Sequence, residues 1–288
     1  MAEILVIKHG ALGDMVLALG AVAAIRAHHP ADRLTLLTTP PYVGLVRPSG
    51  WLDAIWTEHR APFWRFGETL ALRRRVADLA PARIYDLQNS SRTGWYRRLW
   101  PVAPSAWVRD RDAGREGVHV RQILTELLAT AGIADVPPPS VAFLDADIGN
   151  LPLSAHMALL VPSASSPDRR WPAARWVELA AALRRRGLAP VTIGGAEATA
   201  VPGTVDLVRR TSFAMLAAVA RRARVAIGND TGPMHLIAAA GCPVLTLFGP
   251  ASDPRRAAPG WPAGRWLRSD PLSALSVDRV LAELDTAT

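Results

Sequence analysis

Short apolar runs and longer amphipathic segments alternate along the chain. In the first half ILVIK (4–8), LTLLTT (34–39), DAIWTE (53–58), RIYDLQ (83–88) and AWVRD (106–110) each read as a short buried strand. Between them, 14–28 and 63–80 carry helical periodicity, with Leu70, Leu72, Val76 and Leu79 on the apolar face of the second. Segment 120–132 reads as a further helix, closed by Gly132. VPPPS (136–140) is the most proline-dense stretch, and weakly periodic residues follow to Pro152, which together read as a linker. A second series then begins: strands over 157–163, 189–195, 224–230 and 243–249, and helices over 174–187, 212–223, 233–241 and 273–286.

Such alternation predicts an α/β fold of right-handed βαβ units with parallel sheets. Two series joined by a proline-rich link predict two Rossmann-like domains facing each other, 1–150 and 151–288.

Half of the residues are apolar, which predicts a globular chain with a large core. Cys242 is the single cysteine, so an internal disulfide and a cysteine-based zinc cluster are excluded. Its AGCPV context predicts a buried small residue. No segment reads as a membrane span or a signal peptide, so the expected location is cytoplasmic. The formal charge of +8, much of it in arginine runs such as 73–75 and 184–186, favours anionic partners: phosphates or an acidic membrane face. Solvated helix faces are the plainer account of many of these runs. No zinc-finger or RNA-binding signature is present, so nucleic acid is not expected.

In open parallel sheets ligands bind beyond the carboxyl ends of the strands. Four loops there carry candidate chemistry. The first is KHGALGD (8–14), where Gly10 and Gly13 permit a tight turn and Asp14 stands at a helix start. Its spacing is not the dinucleotide GxGxxG, which argues against a dinucleotide oxidoreductase. Asp14 suits either a helix cap or a base that takes a proton from a hydroxyl. The second, GNDTGPMHL (228–236), places backbone N–H groups, Thr231 and His235 at a helix N-terminus, a site for an anion. The third, PSASSPDRRWP (162–172), sets hydroxyls and two arginines after a strand, which suits a phosphate or a plain exposed basic loop. The fourth, IGGAEA (193–198), gives a glycine pair and Glu197, an acceptor for a ribose or base. No GxSxG, Walker A or HExxH motif occurs, and no metal site is expected. The ten tryptophans are expected mostly in the core or at the domain interface, with Trp171 and Trp176 under the helix that follows them, while Trp64, Trp95, Trp100 and Trp107 are dense enough to line an acceptor groove as an alternative.

IKHGALGDMVLALGAV near the start and NDTGPMHLIAAAGCPVLTLFGPASDP near the end resemble glycosyltransferase family 9, the ADP-heptose:lipopolysaccharide heptosyltransferases and their relatives. The motif order agrees and the resemblance spans nearly the whole chain. It implies a GT-B fold with the active site in an interdomain cleft, and an inverting, metal-independent transfer of heptose from ADP-heptose to the lipopolysaccharide inner core. The N-terminal half would bind the acceptor and the C-terminal half the donor, with the last helix, 273–286, packing back on the first domain. Asp14 matches the family's proposed base. Asp230, Thr231, Gly232 and His235 match the donor motif, and Gly194, Gly195 and Glu197 the nucleotide-side loop. Ser165 falls where a threonine contacts phosphate, and Arg169 where a lysine is usual; Lys8 and Gly13 match the acceptor or phosphate side of the first loop. The resemblance implies no cofactor beyond the ADP-sugar substrate. Its implied partners are a lipid-linked saccharide acceptor and the anionic inner face of the cytoplasmic membrane. Alternatives are a GT-B enzyme with another donor and acceptor, such as a UDP-sugar, and a non-catalytic relative.

Overall fold

The computed structural model describes residues 1–60, 66–110, 115–195, 197–260 and 262–286. The chain divides into two compact units, Met1–Pro139 and Ser140–Thr288.

The first unit runs β1 (Glu3–Ile7), α1 (Leu12–His28), β2 (Arg33–Thr38), α2 (Val43–Val46), β3 (Ala54–Thr57), α3 (Phe66–Leu79), β4 (Arg83–Asp86), α4 (Ser91–Leu99), β5 (Trp107–Val108) and α5 (Val120–Ala129). Its five strands are parallel in the order β3-β2-β1-β4-β5. Ile4 to Ile7 are all buried because β1 is central and both faces of the sheet are covered. One face packs Leu5, Ile7, Leu37 and Ile84 against Val76 of α3 and Tyr96 of α4.

This packing corrects the alternative of an aromatic groove. Trp100 and Trp107 are core residues, Trp100 stacking on Tyr96 with centroids 4.6 Å apart. Trp95 alone of the described members is exposed; Trp64 lies outside the described residues. Helix α4 has no apolar periodicity to announce it. A capping box between Ser90 and Thr93 starts it, and Tyr96 and Trp100 tie it to the sheet.

The second unit runs β6 (Met157–Val161), α6 (Ala173–Arg185), β7 (Ala189–Thr192), β8 (Val205–Asp206), α7 (Phe213–Arg222), β9 (Val225–Asn229), α8 (Gly232–Ala239), β10 (Val244–Phe248), α9 (Pro254–Ala257), β11 (Arg265–Arg268) and α10 (Val277–Asp285). All six strands are parallel, in the order β11-β10-β9-β6-β7-β8. β8 and β11 are edge strands too short or too charged to show a periodic pattern.

The division falls after Pro139, ahead of the expected boundary at 150. Val141 and Leu144 are buried, the Val141 N–H donates to Ala239 O at 3.2 Å, and Arg221 donates to Leu144 O, so 140–150 goes with the second unit. The last helix contributes to the second unit's core. Val277, Val280 and Leu281 of α10 join Trp176, Leu179 and Leu183 of α6 in the second unit's core, and Arg186 pairs with Asp285 at 2.7 Å. Trp171 and Trp176 pack edge to face in the same core, as the sequence suggested.

Candidate active site

Each sheet reverses its strand order once. In the first unit the chain steps outward from β1 to β3, then returns to β4 on the other side of β1. In the second it steps from β6 to β8, then returns to β9 beside β6. Where the order reverses, the two neighbouring loops leave in opposite directions and open a crevice at the strands' carboxyl ends. Three of the segments flagged by sequence border these crevices: 8–14 after β1, 162–172 after β6, and 230–235 after β9.

At the first crevice the loops after β1 and β4 are bonded to each other. Lys8 is buried, and its ammonium donates to Leu87 O at 3.1 Å. Burial lowers its pKa, against the opposing fields of Asp14 and Asp86. The His9 N–H donates to the Gln88 side-chain carbonyl at 3.0 Å, while His9 O accepts from the Thr39 hydroxyl at 2.9 Å. His9 is itself buried, with Nε2 2.8 Å from Glu58 Oε1, and Glu58 accepts the Tyr96 hydroxyl at 2.6–2.7 Å. Burial opposes the Glu58 charge, but the bonds from His9 and Tyr96 outweigh it and hold its pKa below the ordinary value. Gly10 has φ +111°, and a Cβ there would overlap the ring of Tyr42, so this turn requires glycine.

Asp14 is the third residue of α1, half-buried, and not its cap: Ala11 takes that place and offers no side-chain bond. The carboxylate is thus left at the first turn, near Lys8 and Tyr42. Gly13 is buried beside it. Asp86, at the end of β4, is fully buried; one oxygen accepts the Asn89 N–H at 2.8 Å, and burial raises its pKa.

At the second crevice the clamp is Asn229, the last residue of β9. Its amide donates to Pro162 O at 2.7 Å and its carbonyl accepts the Trp171 N–H at 3.1 Å. Both ends of the 162–171 loop are thereby fixed to one fully buried side chain. From the other side, Gly249 lies so close that a Cβ would overlap Asp168 O. Arg169 within that loop lies 3.4 Å from Asp230, the residue after the clamp. Thr231 then caps α8, and its extended backbone leaves its hydroxyl unused for capping. His235 is buried on the first turn of α8, and Ser165 is exposed.

The structure therefore gathers Arg169, Asp230, Thr231 and Gly232 at one helix N-terminus, a cation beside oriented N–H groups. Gly194 and Gly195 follow the adjacent strand β7, and a Cβ on Gly194 would reach within 3.7 Å of the Ser163 hydroxyl. Glu197 is exposed in that loop. Sequence reasoning missed Glu58, Gln88 and Asn229. Each is the polar residue at or just past a strand's end, and that position was the available signal.

Two parallel sheets of this kind, each covered by helices, are those of a GT-B fold. Residues 131–270 match the sequence profile of glycosyltransferase family 9 (heptosyltransferase). The chain is 25% identical to Lipopolysaccharide heptosyltransferase 1 of Pseudomonas aeruginosa, over 87% of this chain and 79% of the relative. Among solved structures it resembles the glycosyl transferase family 9 protein of Veillonella parvula, with TM-score 0.81 and 18% identity over 99% of this chain and 96% of that one. It also resembles the E. coli ADP-heptose lps heptosyltransferase II, with TM-score 0.78 and 20% identity over 99% and 98%. The chain is a glycosyltransferase similar to those of family 9.

Proposed function

We propose that this enzyme transfers a heptose from ADP-heptose to the inner core of lipopolysaccharide, with inversion and without a metal. The observation that carries the reading is the clamped donor loop: Asn229 fixes 162–171 so that Arg169 stands beside Asp230 at the start of α8. A departing ADP carries growing negative charge, and a guanidinium beside helix N-terminal amides is the chemistry that stabilises it. The names of the relatives, a lipopolysaccharide heptosyltransferase and an ADP-heptose-dependent one, supply the sugar and the acceptor.

In this reading Asp14 takes the proton of the acceptor hydroxyl as its oxygen attacks the anomeric carbon. The bond from that carbon to the diphosphate oxygen breaks in the same step, and ADP leaves with the electron pair. A single displacement inverts the anomeric centre. Lys8 is buried near Asp14. Ser165, Thr231, Gly232 and His235 surround the diphosphate and sugar, and Gly194, Gly195 and Glu197 the nucleoside. The acceptor is lipid-linked and met at an anionic membrane face.

The test is a transfer assay with ADP-heptose and a deacylated inner-core acceptor, run with EDTA, and the product's anomeric configuration read by NMR. Heptose transfer with inversion in EDTA is expected. Turnover with a UDP-sugar instead would keep the fold and replace the donor; hydrolysis without transfer would remove the acceptor.

A further inference from the structure

Some arginines of the second unit have carboxylate partners, such as Arg175 with Glu178 and Arg186 with Asp285, and others, such as Arg185 and Arg222, form no ion pair among the described residues. One face of the first unit combines such arginines with exposed large apolar side chains. Helix α3 turns Leu72, Val76 and Leu79 to the core, which leaves Leu70, Arg73 and Arg74 on the opposite stripe. Helix α4 turns Thr93 and Tyr96 inward, which leaves Trp95, Arg98 and Leu99 outward. Leu70, Trp95 and Leu99 are 42%, 48% and 40% exposed, unusual values for large apolar side chains. Arg73 Nε donates to Leu99 O at 2.8 Å, so the two stripes meet edge to edge. Arg73, Arg74, Arg97 and Arg98 form no ion pair with a carboxylate among the described residues. Arg98 instead lies 5.6 Å from the Trp95 ring.

We infer that this α3–α4 face docks the protein on an anionic phospholipid bilayer. The composition is what an interface helix needs: a tryptophan at headgroup level, aliphatic side chains for the acyl boundary, and arginines for lipid phosphates. The charge is complementary, and among the described residues no carboxylate pairs with these arginines, so they are available to headgroups. Single-stranded RNA would also accept arginine and stacking on Trp95, but Leu70 and Leu99 offer it nothing. Helix α4 presents this face outward and bonds Glu58 through Tyr96 on its inner side, so one short helix serves both the membrane face and the His9 loop. The inference deepens the lipid-linked-acceptor reading and rests on it for its purpose, not for its geometry.

The test is co-sedimentation of the full-length protein with phosphatidylglycerol–phosphatidylcholine vesicles and with pure phosphatidylcholine vesicles, with neither donor nor acceptor present. Because no substrate is used, failure here leaves the glycosyl-transfer reading standing, and an inactive donor assay leaves this one standing. The wild type should bind the anionic vesicles preferentially. Trp95→Ser and the pair Arg74→Glu/Arg98→Glu should each lower partitioning about tenfold or more. The pair Arg185→Glu/Arg222→Glu, of equal charge change on the second unit, should leave it near the wild-type value. All these positions are exposed, and unchanged circular dichroism would show that the variants fold. Equal loss in both charge pairs, no loss in the α3–α4 variants, or preference for poly-uridine over vesicles would overturn the inference.

Discussion

The side-chain amide of Asn229 donates to the carbonyl oxygen of Pro162 at 2.7 Å, so the last residue of β9 holds the loop leaving β6 beside it. The first unit repeats the device with another residue: Lys8, after β1, donates to Leu87 O, after β4. In both sheets a buried polar side chain ties together the two loops at the strand-order reversal, and in the first unit the bond from the His9 N–H to Gln88 adds a second tie. A crevice built by divergence of neighbouring loops needs such a tie, because the sheet's own ladder has ended there.

Asn229→Ala should strand the Trp171 N–H and Pro162 O in a buried place. A loss of about 1–3 kcal/mol in stability is expected from the unpaired groups. ADP affinity should fall as well, because Arg169 loses its fixed position. Asn229→Asp keeps the acceptor and loses the donor, and should lie between. Urea denaturation and ADP titration of the same samples separate the two effects. Wild-type ADP affinity in a destabilised Asn229→Ala protein would mean that the clamp serves the fold alone.

Asp14→Asn should lower turnover about a hundred- to ten-thousandfold while ADP binding stays intact. Asp14 is not the cap of α1, so its replacement should cost only the modest favourable interaction of a first-turn carboxylate, about 0.3–1 kcal/mol. Steady-state kinetics beside a thermal melt checks both. A large fall in melting temperature with proportionate loss of ADP binding would return Asp14 to a structural role.

The structure departs from the sequence reading at the ends of elements more than at their existence. DAIWTE and RIYDLQ read as strands through Glu58 and Gln88, yet the ladders end at Thr57 and Asp86. Those last residues are where polar chemistry begins: Glu58 meets His9 and Gln88 meets the His9 N–H. Periodicity reports burial, and a buried polar residue just past a strand is not distinguished from one within it. Strand order, and with it the coincidence of the 162–172 and 230–235 loops, depends on pairing across long separations that local pattern does not encode. Trp100 and Trp107 follow the expectation of core tryptophans rather than that of the groove, a choice local pattern leaves open because α4, which carries Trp100's neighbour Tyr96, has a charged sequence without a stripe.

Glu58 supplies the clearest pH dependence. Its pKa lies below the ordinary 4.5 in the folded state, through His9 and Tyr96 acting against burial. Its folded-state pKa is depressed, so its contribution to stability is full above that ordinary value and is lost as pH falls through the folded one. Glu58→Gln should therefore destabilise at pH 7, with the gap to wild type narrowing in acid. Denaturant melts from pH 7 down to about 3 check this. A gap that is constant with pH would show that the Glu58 charge does not matter to the fold.

The donor site is tested most directly by calorimetric titration of ADP, UDP and GDP, each in EDTA and in magnesium, into wild type and Arg169→Ala. ADP should bind in preference to UDP and GDP, equally in both buffers. Arg169→Ala should weaken it about tenfold or more, as loss of a charge-assisted contact costs about 1.5–3 kcal/mol. A preference for UDP, a requirement for magnesium, or ADP affinity indifferent to Arg169 would contradict the account.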